Sequence, residues 1–380
     1  MRNIISNTHN LLLMSSMGIG DFIMFTPVLR NLKLQYPALK IDVSYTHKSE
    51  KMFWDKCPYI NKSIPLLPPY FKFKMDSLEG RSNNLLKIVA HTIVYIFNWF
   101  WFDIKIFFSR YNFVITHFNC SNRPDVALAS FFSFSKIRIG YKNSKAYKNY
   151  WDFLYNRRIE IKDKLRFIDM NLQILEILPV EILKKQPEIF FDEDDKRIAN
   201  HFIDIKFKYV KPLIIIAPGV SFFKKKQWAY KNFAEVANIL SENDEFNIVV
   251  AGTSIDEQIL NFTNKNIASS INKLSLGQFI ALVSLSSLVI CCEGGVMHIA
   301  DALKKNTVAI YGPQNRLWAT PYHKDKVKMI YKNVDCYPCN DFRGHAKMKK
   351  CDNARCINGI SVKDVMSEVR KVMDSGSLHE

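Results

Sequence analysis

The amino-acid sequence predicts an α/β protein of two domains, each a parallel sheet with helices on both faces. Three observations carry the prediction. Apolar runs of strand length alternate with helical stretches through the first half, the order that builds a doubly covered parallel sheet. The second half repeats that order more cleanly, as PLIIIAPG, FNIVVAGT, LVICC and TVAIYGP with helices between them. Finally, 380 residues that are 48% hydrophobic and 23% charged can bury two sizeable cores.

In the first half, strands are expected near 10–15, 40–45, 60–65, 112–118 and 136–141, with helices near 21–35, 122–133 and 164–178. The opening strand, Leu11 to Met14, runs into SSMGIGD and then a helix carrying Pro27 in its early turns. Asp21 therefore falls just beyond a strand's C-terminal edge, where open α/β sheets collect ligands. A carboxylate there can work on a substrate, and it can equally cap the helix. Gly18 and Gly20 invite a dinucleotide-binding fingerprint, but the third glycine of G-x-G-x-x-G would fall at Ile23, so the fingerprint is rejected. The stretch MRNIISNTHN is polar and the apolar run after it is short; no secretory signal is expected and the chain reads as cytoplasmic. Ile88 to Phe102, IVAHTIVYIFNWFWF, is dense in aromatic and β-branched residues yet too short to span a bilayer. With Trp99 to Trp101 flanked by charges it suits an interfacial anchor, and it equally suits a buried helix or an oligomer contact.

Residues 181–211, rich in Lys, Glu and Asp, read as the connection to the second domain. There, strands PLIIIAPG, FNIVVAGT, LVICC and TVAIYGP frame helices from Ala229 to Leu240, after Ser254, and from Leu276 to Ser286; a last helix is expected near Ser361 to Asp374. The stretch VICCEGGVMHIADAL is the most informative in the chain, because it places a buried strand, a two-glycine turn and a helix start in succession. Gly294 and Gly295 let backbone approach a ligand, and the unpaired N–H groups at the helix start favour a phosphate, with His298 in the first turn. Such a turn can also be only a tight connection, and His298 only a core or capping histidine. Lys224, Lys225 and Lys226 follow the exit of the first strand; a run of this kind is usually solvated.

The net charge is +17, from 53 Lys and Arg against 36 acidic residues. It suggests an anionic partner such as a phosphorylated glycolipid or the inner membrane leaflet, or else an ordinary basic surface. Nucleic acid is not expected, since no recognition motif is present and the lysines are dispersed. Of eight cysteines, Cys57, Cys120, Cys291 and Cys292 read as small buried hydrophobes. The others form CYPC, eleven residues, then CDNARC: Cys336, Cys339, Cys351 and Cys356. Two close pairs across a short loop can hold structural zinc or iron, or they can be free or disulfide-capable thiols.

Four blocks in order carry a family resemblance: MGIGDFIMFTPVLRNLKLQYP, APGVSFFKKKQWAYKNFAEVANIL, VVAGTSIDEQ and CCEGGVMHIADALKKNTVAIYGP. With them the chain resembles glycosyltransferase family 9, the heptosyltransferases of lipopolysaccharide assembly, over nearly its whole length except an insertion at about 67–110. The resemblance implies the GT-B arrangement, two Rossmann-like domains facing a central cleft. Residues 1–180 would bind acceptor and 212–360 the nucleotide sugar, with a cysteine finger at 336–356 and residues 361–380 packing back on the first domain. It implies inverting transfer of heptose from ADP-heptose to an inner-core acceptor at the cytoplasmic membrane face, with no cofactor for catalysis. Asp21 would be the general base, beside Gly20, and an ordinary carboxylate is ionised at neutral pH. The family's Lys-x-Trp matches Lys226 and Trp228, giving a cation for the departing diphosphate. Pro218, Gly219, Gly252, Glu293, Gly294, Gly295, Met297 and His298 would frame the donor, and Gly20 and Arg123 are candidate acceptor contacts. The chain departs from the family where Glu293 and Gly294 replace the usual Asp followed by Ser or Thr, which puts the donor sugar in question. The finger resembles the iron-holding one of the subgroup that modifies autotransporter proteins. Two other readings therefore stand: transfer to protein serines, favoured by the cysteines, and an inactive nucleotide-sugar scaffold, favoured by Glu293 and Gly294.

Overall fold

The computed structural model describes residues 10–46, 48–66, 99–144, 147–162, 164–220, 224–339 and 351–374. The chain falls into two compact units. Unit 1 comprises Met1–Gly18, Val28–Asp163 and Met170–Lys184; unit 2 comprises Ile19–Pro27, Lys164–Asp169 and Lys185–Glu380. Two short segments of the first half, Ile19–Pro27 and Lys164–Asp169, thus group with unit 2.

Unit 1 holds a six-stranded sheet of β1 (Asn10–Met14), β2 (Lys40–Tyr45), β3 (Lys62–Pro65), β4 (Phe113–Thr116), β5 (Ile137–Tyr141) and β6 (Arg157–Ile159), in the order β3-β2-β1-β4-β5-β6. Every neighbouring pair is parallel. The central strands are apolar on both faces because both faces are covered: all of Leu11 to Met14 and Phe113 to Thr116 is buried. Pro124 opens the helix Pro124–Phe132, where its missing N–H costs nothing. The expected helices near 21–35, 122–133 and 164–178 are found as Ile19–Gln35, Pro124–Phe132 and Phe167–Ile177. Most of Ile88 to Phe102 lies outside the described residues; within it Trp101 is exposed and Phe102 buried on a helix that runs through 99–109.

Unit 2 repeats the design. Its strands are β7 (Leu213–Ala217), β8 (Asn247–Val250), β9 (Ala268–Ser269), β10 (Leu288–Cys292), β11 (Asn306–Ile310) and β12 (Val327–Ile330), ordered β12-β11-β10-β7-β8-β9 and all parallel. Counted from its own first strand, this is the same strand order as in unit 1, and it is the doubly wound Rossmann order. In both sheets the direction of winding reverses beside the first strand, between β1 and β4 and between β7 and β10. The core beneath β7 and β10 gathers Ile214, Ile216, Phe233, Val236, Leu288 and Ile290.

Two expectations change. Residues 181–211 are not a plain connection: Glu193–Lys206 is a helix, started by a capping box in which Asp192 accepts from the Asp195 N–H at 2.9 Å. It packs on the helix Leu276–Ser284, where Gly277 leaves room for the Asp195 carboxylate. The last helix, Val362–Asp374, was expected to pack back on the first domain. Its buried residues Val365, Met366, Val369 and Val372 instead join the core of unit 2. Among the described residues no helix is long and apolar enough to cross a membrane.

Candidate active site

In unit 2 the strand ends at the winding reversal meet a helix start. Register pairs Cys291 with Ala217, so β7 leaves the sheet as Pro218-Gly219 beside β10 leaving it as Glu293-Gly294. Glu293 is still tied to the sheet, its N–H donating to Ile310 O at 2.8 Å. Gly294 then takes φ 157° and ψ −155°, a region essentially reserved for glycine, and caps the helix Gly295–Ala302. Among the described residues a Cβ at Gly294 would meet nothing within 4 Å, leaving space in front of the helix N–H groups.

Lys226 reaches this place from the other loop. Lys224–Lys226 forms a 3-10 turn, and the Lys226 Nζ donates to Glu293 Oε2 at 2.8 Å. Both side chains are largely withdrawn from water, which strengthens the pair relative to a surface one. The triplet divides as its surroundings dictate: Lys224 is exposed, Lys225 donates to Cys351 O, and Lys226 faces Glu293. Gln227 braces the loop by donating to Pro218 O at 2.7 Å.

His298 is buried, and burial pushes its pKa down, opposed in part by Glu293 and Asp301. Its ring lies against Gly20, where a Cβ would come within 2.7 Å of Cδ2. Gly20 is therefore constrained by close packing. Asp21 follows it, half-buried in the first turn of Ile19–Gln35. Ile19 in turn lies beside Gly295, so the start of that helix and the start of Gly295–Ala302 belong to one neighbourhood of unit 2.

Other expected residues hold the scaffold. Trp228 is fully enclosed: its indole N–H donates to Ile360 O at 2.9 Å, its backbone N–H to Cys292 Sγ at 3.4 Å, and it packs edge-on against Phe233. A donor-contacting role does not fit that position; it anchors the loop that carries Lys226. Met297 is likewise buried, under the Tyr311 hydroxyl. Gly219 and Gly252 both lie against Asp256, with Cβ positions 2.8 and 2.6 Å from Oδ2. Asp256 was not foreseen. It caps the turn Ser254–Asn261, accepting from Thr253 N–H at 2.8 Å and from the Tyr230 hydroxyl at 2.8 Å. Its sequence signal is the Thr-x-x-Asp spacing of a capping box. Asp301, also unforeseen, fixes the 322–323 turn by accepting from the backbone N–H groups of Tyr322 and His323 at 2.6 and 2.8 Å.

Arg123 lies in unit 1, bound to Asp125 through Nε at 3.1 Å and Nη2 at 2.5 Å, which neutralises its charge locally. The cysteines expected to be buried, Cys57, Cys120, Cys291 and Cys292, are so. In the finger, Cys339 and Cys356 are buried, Cys351 partly so and Cys336 exposed. Burial pushes the Cys339 thiol up to about 11, helped by Cys336, Cys356 and Cys351, and the Cys356 thiol up as well. The four thiols therefore lie within electrostatic reach of one another, and Cys351 Sγ accepts from the Ala354 N–H at 3.3 Å. Among the described residues no three His, Cys, Asp or Glu are arranged to hold a metal ion.

A family model described as glycosyltransferase family 9 (heptosyltransferase) matches residues 109–350. Lipooligosaccharide heptosyltransferase 2 of Campylobacter jejuni subsp. jejuni strain 81116 is 28% identical over a 204-residue alignment that covers 48% of this chain. The match spans 62% of that relative's length. Among solved structures, the family 9 glycosyl transferase of Veillonella parvula superposes with a TM-score of 0.70 at 19% identity, covering 98% of each chain. The E. coli ADP-heptose lps heptosyltransferase II gives 0.65 at 19% identity, covering 97% of this chain and 99% of its own. These likenesses concern the fold, and the two parallel sheets of 3-2-1-4-5-6 order agree with them. Because the family model takes in well over half of the residues, the chain belongs to glycosyltransferase family 9, the heptosyltransferase family.

Proposed function

We propose that the protein transfers a heptose from ADP-heptose to a phosphorylated inner-core glycolipid of lipopolysaccharide, with inversion, at the cytoplasmic face of the membrane. The observation that carries the reading is the pairing of Lys226 with Glu293 at the head of the helix Gly295–Ala302, where Gly294 leaves open space. An anion entering there meets helix N–H groups and finds Lys226 close by, held by Glu293. The E. coli relative's name gives ADP-heptose as the sugar donor, and the Campylobacter relative's gives lipooligosaccharide as the product class.

In the proposed step an acceptor hydroxyl oxygen attacks the anomeric carbon as the bond from that carbon to the diphosphate oxygen breaks. The hydroxyl proton passes to the Asp21 carboxylate, and the electron pair leaves with ADP. Lys226 and the helix start stabilise the charge that grows on the diphosphate, with no metal ion required for that task. Asp21 lies outside the segment matched by the family model, so its role rests on the local motif and on Gly20 packing against His298. Pro218, Glu293 and Gly295 frame the donor, and Arg123 would meet acceptor phosphate by exchanging Asp125 for it. Calorimetry with ADP, UDP, GDP and ADP-heptose, with and without magnesium, tests the reading. Selective, magnesium-independent binding of ADP and ADP-heptose is expected. Preference for UDP or GDP moves the site to another sugar, and no binding favours the inactive scaffold.

A structural zinc or iron at Cys336, Cys339, Cys351 and Cys356 is a second proposal, supported by the mutual influence of the four thiols. Binding would release the protons of the thiols. Such a site is closed and takes no part in transfer. Metal analysis of protein purified without chelator is expected to find zinc or iron in stoichiometric amount, and metal-free protein ends the idea.

A further inference from the structure

Unit 1 carries an aromatic surface that neither its sheet nor the transfer site uses. The helix at 99–109 is ordinary on its inner side, where Phe102 and Ile106 join Leu12 and Val114 in the core. A helix on a globular surface normally turns polar side chains outward. Here two pairs seven residues apart share the outer side instead, Phe100 with Phe107 and Trp101 with Phe108, and Phe108 is 73% exposed. The patch extends past the helix. Phe107 meets Phe134 edge to face with ring centroids 5.7 Å apart, and Phe134 leads on to Phe131 at 6.5 Å. Phe134 holds φ at 51°, a left-handed conformation that strains a bulky residue and suits Gly or Asn, yet its ring is exposed. Contiguous exposed aromatics of this kind mark a surface that meets something.

Charge identifies the partner. Residues 99–142 carry Lys105, Arg110, Arg123, Lys136, Arg138 and Lys142 against Asp103 and Asp125 alone. Arg123 and Asp125 pair with each other, and burial pushes Asp103 up to about 7. Arg110 and Lys136 stand beside Phe107, Phe108 and Phe134 around one shallow depression. Rings that enter the acyl boundary beside cations that meet lipid phosphates are the chemistry of an anionic bilayer interface. A second copy fits less well, because a two-fold contact would bring this basic patch against the same basic patch of the other copy.

We propose that this face of unit 1 docks on an anionic lipid bilayer, seating Trp101, Phe107, Phe108 and Phe134 at the headgroup boundary with Arg110 and Lys136 on lipid phosphates. The contact is peripheral and is independent of the transfer reading, since its test uses no sugar. Co-sedimentation with vesicles of phosphatidylglycerol and phosphatidylcholine in equal parts is expected to capture the intact protein, and pure phosphatidylcholine vesicles to capture far less. The variant Trp101→Ser, Phe108→Ser, Phe134→Asn should partition about a hundredfold less. Asn tolerates the left-handed backbone, so an unchanged melting temperature is expected alongside. Arg110→Glu with Lys136→Glu should weaken capture by about thirtyfold at low salt, and serves if the aromatic variant does not fold. Failure of the wild-type protein to bind, equal binding to neutral vesicles, or unchanged binding by both variants overturns the proposal. So does an aromatic variant that turns a dimer into a monomer in sedimentation velocity while still binding vesicles, which makes the face a contact between copies.

Discussion

The two sheets share one strand order, yet the strand ends at their winding reversals are furnished in opposite ways. At β7 and β10 the furniture is ionic: Lys226 with Glu293, and Asp256 and Asp301 behind them. At β1 and β4 it is mostly hydroxyl, amide and imidazole. Ser15 donates to Ser44 O at 2.7 Å while its N–H donates to Ser44 Oγ at 2.9 Å. Asn149 donates to Tyr141 O at 2.6 Å and to Ser121 Oγ at 3.2 Å. Glu50 accepts from Thr46 through both its N–H and its hydroxyl, and Asp125 is tied up by Arg123. His117, fully buried, is pushed down to about 3 by loss of solvation. Topology thus fixes where a ligand can bind, and the loops fix what kind.

The contrast breaks most sharply at Lys226. Lys226→Ala should lower transfer by roughly a thousandfold, the loss typical of removing one charge-stabilising donor. It should also destabilise the fold by about 3 kcal/mol, because the buried Glu293 carboxylate loses its cation. Steady-state rates and chemical denaturation read the two effects separately; near-normal transfer would remove the cation from the mechanism.

The neutral end answers to acid instead. Unfolded chain takes up a proton at His117 near pH 6.5, while the folded protein does so only near 3. Acid therefore favours the unfolded state, and between pH 6.5 and about 4 this group alone should cost roughly 3 kcal/mol of stability, regained as pH rises. Denaturation curves across that range for wild type and His117→Asn check it: the variant should lose that part of the slope. Equal slopes would mean that His117 is solvated in the folded protein.

Asp21→Asn comes next, with turnover down roughly a hundredfold and ADP binding unchanged. It sharpens the comparison because Asp21 adjoins the ionic end through Gly20 and His298 but is proposed to act on the acceptor. A matching loss of ADP affinity would make it part of the donor pocket.

The sheets were legible in the sequence because strands buried on both faces must be apolar throughout, as Leu213 to Ala217 and Leu288 to Cys292 are. Gly294 was legible for a similar reason, since its backbone conformation admits only glycine. What the sequence hid is whatever depends on a partner far along the chain. Lys226 and Glu293 are 67 residues apart, and no local pattern links them. Gly219 and Gly252 looked like ligand turns, and the close approach they permit is that of Asp256. Trp228 looked like part of a binding motif, and its indole N–H is spent on Ile360 across the core of unit 2. The helix Glu193–Lys206 was masked by its charge: acidic residues crowd its first turn, and only Asp195, Ala199 and Phe202 are buried.

The smallest expected effect is also the most discriminating, and it concerns Glu293. This acid holds the cation that a diphosphate would need. Glu293→Gln keeps a hydrogen-bond acceptor of the same length but removes the charge, so Lys226 becomes easier to share. ADP should then bind about fivefold tighter, within the range set by changing one partly buried ion pair into a charge–dipole contact. If Glu293 also touches the sugar, ADP-heptose should gain less than ADP, because the carboxylate that accepted from the sugar hydroxyls is gone. Calorimetry with both ligands separates the two roles. Tighter ADP with unchanged ADP-heptose gives Glu293 both tasks, and an equal gain for both ligands confines it to holding Lys226. Equal weakening would mean that the ion pair positions Lys226 for the phosphate instead of competing with it, in which case the longer acid of this chain works as a strut.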